Sequence, residues 1–407
     1  MPTSLNLDNV TQALKEHYKP LTVKNMVYKD NPLLALMPKY ERFGGENMPV
    51  PVQYGIANRR SADFSTGQGL NTATELARFV LTRVKDYSFA SITGETIKAT
   101  EGAADAFLKY ATMEIDGAIQ SLTRSLAVGM YADGTGNIGK GTYTLADKEF
   151  ELDKKDQITN FEVGMSLNFS LGSGNAGDAI IANTNLTILT IDRDNGTFTV
   201  DASGSLSDAT SYFIYQRGDA KNAGTNKKVS GLEAWLPETV DATAFFGQDR
   251  SKDATRLGGI AFDGSSQPIE EALIGAASRL AREGGSPGHC FMNFQNFANL
   301  EKALGSKVVY DKVSSDDADI GFQSLTIIGP KGPIQIIADQ NCTPDVAYML
   351  QMDTWTLNSL GAAPHILDLD GNRMLREASA DAYEVRIGFY GNVGCTAPGY
   401  NARIKLA

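Results

Sequence analysis

Hydrophobic and polar positions change their period several times along this 407-residue chain, and each change marks an element. The clearest run lies between Thr100 and Met130. There Ala104, Phe107, Leu108, Ala111, Ile115, Ile119, Leu122 and Leu126 recur at three- and four-residue spacing, which puts one apolar stripe on a helix. Thr100 with Glu101 suits its start, and ADGTGNIGKG after Tyr131 stops it. Such a rod is roughly 45 Å long, enough to serve as the backbone of a subunit.

Upstream, residues 1–40 hold a short helical pattern from Leu7 to His17, and then Pro20, Pro32 and Pro38 punctuate an extended path. NPLLALMPKY is apolar but too short for a core of its own, so this arm is expected to lie on something outside itself. Residues 41–95 suit a long two-stranded excursion. MPVPVQYGI runs out, SADFSTGQGLNTATEL is a polar, Gly-rich tip, and RFVLTRVKDYSFASI runs back with β-branched and aromatic residues. An isolated hairpin of that length is marginal in water, so a neighbouring subunit is its natural stabiliser.

Downstream the period drops to two. Phe161, Val163, Met165, Leu167 and Phe169 alternate, LTILTIDRDNGTFTVD turns at Asn195-Gly196, and SYFIYQ at 211–216 is another strand. Residues 148–220 therefore read as a small all-β unit. Helical spacing returns from Pro268 to Glu283, closed by Gly284-Gly285, and from Asn293 to Leu304, with Asn293 as cap. Strands follow at SLTIIG, PIQIIAD and VAYMLQM, and the tail from Ala380 is strand-like to NARIKL. The fold class is α+β.

Composition narrows the function. The net charge is −11, so an acidic surface disfavours general nucleic-acid binding but suits a wall that encloses a polyanion without sticking to it. Cys290, Cys342 and Cys395 lie far apart with neither pairing nor metal-ligand spacing, as expected of reduced thiols in a cytoplasmic product. MPTSLNLDNV lacks the pattern of a signal peptide, and no apolar run suggests a membrane span.

The motifs that suggest chemistry have plainer readings. GTGNIG at 134–139 follows a helix and GSGNAG at 172–177 sits between strands, whereas a dinucleotide turn joins a strand to a helix. GGSPG at 284–288 beside His289 follows a helix, and Pro287 lacks the N–H that an oxyanion hole needs after the serine. DRDNG at 192–196 and DLDGN at 368–372 are turns: the first has no calcium-loop glycine or glutamate in place. His17, His289 and His365 have no second ligand at metal spacing. No catalytic, cofactor or metal residue is nominated.

An uncored arm, a projecting hairpin, a long helix, a mixed α/β region and a returning strand appear in that order. The order resembles the major capsid proteins of tailed bacteriophages, with the Hong Kong ninety-seven fold. NPLLALMPK resembles the end of the arm, VQYGIANRRSADFSTGQG the extended loop, and LAVGMYADGTG the exit of the spine helix. GLEAWLPETVDATAFFGQDRS resembles the link to the second domain. PGHCFMNFQNFANLEKALG and DAYEVRIGFYGNVGCTAPGYNARIKL resemble axial and closing segments.

The resemblance implies an arm (1–40), an extended loop (41–95) and a peripheral domain with the spine helix (96–147). It further implies an inserted β domain (148–220), a peripheral link (221–264), an axial domain (265–378) and a peripheral return strand (379–407). It implies a virion shell of hexamers and pentamers around double-stranded DNA, assembled in the bacterial cytoplasm with scaffolding protein, portal and a decoration protein as partners, and no membrane. Arg59, Arg60, Asp63 and Arg78 are then candidate inter-subunit ion pairs, and Phe64 and Phe79 candidate apolar contacts on a neighbour. Some members cross-link through a loop lysine; between Glu41 and Ile92 this chain has only Lys85, at the base, so no cross-link is expected. The arm begins near Met1, which points to a separate scaffold or none. Alternatives are an encapsulin-like nanocompartment, a surface adhesion protein and an enzyme with a dispersed site.

Overall fold

The structure is a computed structural model, and it describes residues 31–70, 73–95, 104–172, 180–181, 185–202, 205–221, 225–304, 310–315, 318–367 and 374–407. The expected helix 7–17, the GSGNAG loop and DLDGN fall wholly or mostly outside them. The described chain forms two compact units. One holds residues 85–126 and 359–390, the other 31–84, 127–358 and 391–407.

In the first unit the helix Ala104–Tyr131 contributes its first 23 residues; of the expected stripe, Leu122 and Leu126 are buried and Ile115 and Ile119 half-buried, with Ala118 buried beside them. The strand Val84–Thr93 pairs with Ala382–Cys395, which also carries His365–Ile366 and Leu375–Arg376. Ser125 on the helix donates to Asp86 on that strand at 2.7 Å. The run RFVLTRVKDYSFASI is therefore two strands and not one. It divides at Arg83, because the residues beyond it take a different partner.

In the second unit a seven-stranded sheet runs in the order Ile260–Asp263, Ala402–Lys405, Val346–Leu350, His289–Met292, Gly332–Ala338, Ala318–Gly329, Tyr310–Ser315. The helix Ile269–Glu283 lays Ala272, Leu273, Ala276, Ala277 and Leu280 on it, a three-and-four spacing that makes one buried face. Gly284 ends that helix at φ +101°, and the amide of Gly285 bonds back to the Leu280 carbonyl. GGSPG is thus a helix-to-strand turn, as expected. The closing segment NARIKL joins this sheet, parallel to Ile260–Asp263 and antiparallel to Val346–Leu350. The return segment 379–407 therefore does not stay in one place: 382–390 lie in the first unit and 402–405 in the sheet of the second.

The same unit carries a closed six-stranded barrel: Thr210–Gln216, Asn137–Thr144, Glu149–Leu152, Thr197–Val200, Leu186–Asp192, Ser166–Ser170 and back. Closure leaves no free edge. Phe150 fills the centre, stacked on Phe169 at 4.6 Å and on Phe198 at 5.2 Å. Such aromatic pairs add about 0.5–1.5 kcal/mol each beyond area burial. The barrel begins at Asn137, eleven residues before the expected boundary. Alternation also ends sooner than the sequence suggests: the strand starts at Ser166, and Gly164 at φ +85° turns the preceding segment so that Val163 faces solvent.

The apolar part of the arm is not left for a neighbour. Leu33, Leu34 and Met37 are buried within the second unit, and Lys39–Tyr40 pairs parallel with Leu357 and Asn358. The amide of Leu357 bonds to the Pro38 carbonyl at 2.8 Å.

Candidate assembly interface

The hairpin pairs Asn47–Gln53 with Leu76–Thr82 in continuous antiparallel register, from Asn47 opposite Thr82 to Gln53 opposite Leu76. Period-two alternation turns Val50, Val52, Ala77, Phe79 and Leu81 to one face, and all five are buried inside the subunit. Phe79 is 0% exposed and meets the rings of Trp235 at 5.0 Å and Phe245 at 6.2 Å. Arg250 closes this cluster. Its guanidinium lies 4.2 Å from the Phe245 ring and donates to the Ala234 carbonyl at 2.9 Å, while burial draws its pKa down to about 10. The strands of the loop are therefore fastened to their own subunit, and Phe79 is a core residue and not a contact for a neighbour.

The free edge of the hairpin is closed to further strands. Val80, opposite Pro49, sends its amide away from the pair to the Phe246 carbonyl, so the Pro49 nitrogen faces outward too. Pro51 follows the same period. Neither proline offers an N–H to an added strand, which blocks edge-to-edge pairing.

What stands mostly exposed is the tip, described over residues 54–70 and 73–75. Arg256 donates to the Tyr54 carbonyl at 2.6 Å, and the Tyr54 hydroxyl reaches Glu75 at 3.2 Å, which anchors the base of the tip. Beyond it, Asp63 caps the helical turn Phe64–Gly69. One carboxylate oxygen accepts from the Thr66 amide at 2.8 Å and from the hydroxyls of Ser65 and Thr66, both at 2.6 Å. These bonds favour the charged form and lower its pKa to about 2. Asp63 is thus engaged as a cap, whereas the sequence offered it as an ion-pair partner. Arg59, Arg60 and Arg78 are exposed, Arg78 on the outer face of its strand opposite Pro51.

Phe64 is 83% exposed on this turn, and Ile56 (77%), Leu76 (68%) and Leu70 (39%) join it as large apolar side chains in solvent. Sequence reading found Phe64 and missed the other three, because single apolar residues in a polar, Gly-rich stretch show no period. It also missed the buried polar residues that hold the body together. Asn392 accepts from the Ser230 amide at 3.0 Å and donates to the Thr82 carbonyl at 2.9 Å, which ties the base of the hairpin to the closing segment. Asn401 accepts from Trp355 Nε1 and the Gln351 amide, both at 2.8 Å, and donates to Thr354 and Ala397.

The stretches set aside as turns behave so where they are described. Asp192 accepts the amides of Asp194 and Asn195 in the barrel turn, and Gly196 follows at φ +71°. In GTGNIG, a Cβ on Gly136 would lie 2.3 Å from the Asp219 carbonyl, so that glycine serves chain packing. Cys290, Cys342 and Cys395 are buried free thiols; burial pushes Cys290 and Cys395 up to about 12. Among the described residues, no helix is long and apolar enough to cross a membrane.

Comparison with known proteins bears on this architecture directly. Residues 207–372 match the family model of the SU10 major capsid protein. The fold is similar to that of the capsid asymmetric unit of cyanophage A-1(L), with 11% identity, 97% of each chain covered and a TM-score of 0.52. A capsid chain of a native GTA particle (9% identity, 99% of this chain and 100% of that one, TM-score 0.47) and a chain of Mycobacterium phage Bobi (11%, 99% of each, 0.44) are also similar. No curated protein matches the sequence. The chain therefore has an α+β capsid fold over nearly its whole length, and over the segment that runs from the barrel into the sheet domain it is similar to the SU10 major capsid protein family.

Proposed function

We propose that the subunit closes, as hexamers and pentamers, into an icosahedral shell around double-stranded DNA, with the Hong Kong ninety-seven arrangement of loop, spine helix and axial domain. The observation that carries this reading is the tip of the loop. Ile56, Phe64, Leu70 and Leu76 stand exposed on a hairpin whose base is fixed by Phe79 and Asn392, so apolar area is presented that none of the described residues of its own subunit covers. A neighbouring copy is the occupant that a ring of identical subunits supplies, through a head-to-tail contact that propagates. Arg59, Arg60 and Arg78 lie along the same excursion and add polar contacts at its rim, each contributing about 0–1 kcal/mol.

The barrel is an insertion on the outer face of the shell. Residues 137–216 hold eleven Asp and Glu against five Lys and Arg, six of the chain's eleven net negative charges. Acidity of that density is repelled by packaged DNA and suits the exterior. The subunit works by assembly and not by catalysis. It is put together in the host cytoplasm with a scaffolding protein and a portal, and the barrel is where a decoration protein binds.

Electron microscopy and light scattering of the purified protein test the reading. Closed shells, rings or hexamer sheets are the expected result. A well-folded small oligomer that never assembles, under crowding or at any salt concentration, overturns it.

A further inference from the structure

Two backbone irregularities on one strand of the barrel set apolar side chains in solvent next to each other. The ladder between Ser166–Ser170 and Leu186–Asp192 places Leu167 opposite Leu186 and Ser166 opposite Thr187. Ile188 then takes two partners: its amide bonds to the Met165 carbonyl at 3.0 Å, and its carbonyl accepts the Gly164 amide at 2.9 Å. That extra residue, admitted by Gly164 at φ +85°, leaves Val163 opposite Leu189. On its other side the same strand bulges again. Ile188 faces Val200 and Thr190 faces Thr199, so Leu189 and Thr190 share one place in the ladder and both are exposed. Val163 is 64% and Leu189 54% exposed.

The same outer face continues across the barrel. The hydroxyls of Thr190 and Thr199 share a hydrogen bond at 2.6 Å, and Thr199 pairs with Glu149 on the next strand. Glu151 lies two residues further along that strand, on the same side. Neither glutamate has an ion pair or a hydrogen bond among the described residues. Lys148, beside Glu149 in the chain, donates instead to the Asp201 carbonyl at 3.4 Å, and Arg193 is paired with Glu162 at 3.0 Å. Leu145, 44% exposed, follows Thr144, which pairs with Glu149 from the far side. With neighbouring strands about 4.8 Å apart, these five chains span roughly 20 Å of barrel surface.

The chemistry of the face selects its occupant. It is apolar at both ends and carries two uncompensated glutamates between them. Covering those carboxylates without a cation is costly, so the complementary surface has apolar side chains on either side of Lys or Arg. The barrel of another copy is as acidic as this one and is repelled. A closed barrel also offers no edge for an added strand, so recognition here works through side chains.

We propose that this face seats the decoration protein of the shell, a separate basic protein that lays apolar side chains on Val163, Leu189 and Leu145 and sets Lys or Arg against Glu149 and Glu151. The inference rests on the shell reading above, in which the barrel stands on the exterior. Hydroxyl-radical footprinting compares virions with shells assembled from this chain alone. Leu189 should be oxidised several-fold more slowly in virions, and high salt should release the covering protein and restore the faster rate. The released protein is then titrated onto bare shells in a calorimeter. Leu189→Asp, Val163→Asp and the double variant Glu149→Lys, Glu151→Lys should each weaken its binding about tenfold or more, while Glu271→Gln on the helix Ile269–Glu283 leaves it unchanged.

Slow oxidation of Leu189 in shells of this chain alone makes a second copy the occupant and overturns the proposal. Equally fast oxidation in virions and bare shells overturns it too, as does a released protein whose binding is indifferent to salt and to the variants. Each of those results leaves the shell standing. Failure of the chain to form shells overturns the shell reading, and this inference with it.

Discussion

Tyr131, the last residue of the long helix, donates its hydroxyl to Asp339 at 2.8 Å, and both side chains are buried. The same carboxylate accepts the Asn341 amide at 2.9 Å and Asn341 Nδ2 at 3.0 Å, with the Leu33 amide at 3.5 Å. One acid thus joins the end of the helix, the arm and the sheet domain. Asp339→Ala leaves several donors orphaned and should destabilise the subunit by about 2–4 kcal/mol, and Tyr131→Phe by about 1 kcal/mol. Urea unfolding measures both. Burial holds the Asp339 carboxyl above its ordinary value of 3.8. The folded state therefore binds that proton more tightly, and stability falls as pH rises from 3.8 toward the folded value. Asp339→Asn should lack this fall; equal slopes in the two proteins would refute the assignment.

Two phenylalanines fifteen residues apart should behave in opposite ways. Phe79 is packed on Trp235 inside the subunit, so Phe79→Ala should cost about 3–5 kcal/mol of stability. Phe64 stands in solvent, so Phe64→Asp should leave the melting temperature of the unassembled subunit within a degree or two and abolish shell formation in the electron microscope. Normal shells from Phe64→Asp would remove the tip from the assembly contact.

Asp63 sets a pH limit on the tip. Its folded pKa of about 2 lies below its ordinary 3.8, so its contribution is complete above 3.8 and is lost as pH falls from 3.8 toward 2. Carbon-13 titration of the side chain should give a midpoint near 2. Asp63→Asn, still a good cap, should assemble normally, whereas Asp63→Ala should assemble slowly because the turn that presents Phe64 frays.

Lys85 lies on the strand Val84–Thr93, outside the projecting tip. Denatured particles should therefore run at the mass of one chain, 43.7 kDa, with no covalent ladder.

The parts of the fold written in local spacing were legible in the sequence. The helix exiting at Tyr131, the Asn195-Gly196 turn and the helix closed by Gly284 each follow from neighbours in the chain. The parts that depend on distant partners were not. Nothing local divides LTRVKDYS at Arg83; the division appears only once Val84–Thr93 finds Ala382–Cys395. NIGKGTYT reads as a loop because its glycines carry no hydrophobic pattern. Yet a Cβ on Gly141 would lie 2.6 Å from the Glu151 carbonyl, and one on Gly139 would lie 3.1 Å from the Phe161 ring. Those glycines let a barrel strand pass under its neighbours. Of the candidate assembly surface, Phe64 was visible as an aromatic in a polar loop, while Asp339 and Asn392 gain meaning only from what folding brings against them.

That strand decides how the barrel can be removed. Cutting at 150–218, the limits the sequence suggests, would leave Asn137–Thr144 without its partners Glu149–Leu152 and Thr210–Gln216, an open edge prone to aggregate. The true stem lies lower. The Lys221 amide bonds to the Thr135 carbonyl at 2.9 Å, and Gly136 abuts Asp219, so the two chains already touch there. Joining Gly136 to Asp219 through a short glycine linker should give a subunit that folds, melts cooperatively and still forms shells, because the aromatic core around Phe150 leaves as a unit. The 150–218 deletion should aggregate. If the Gly136–Asp219 deletion also fails to fold, the barrel is part of the core of the subunit and not an independent addition to it.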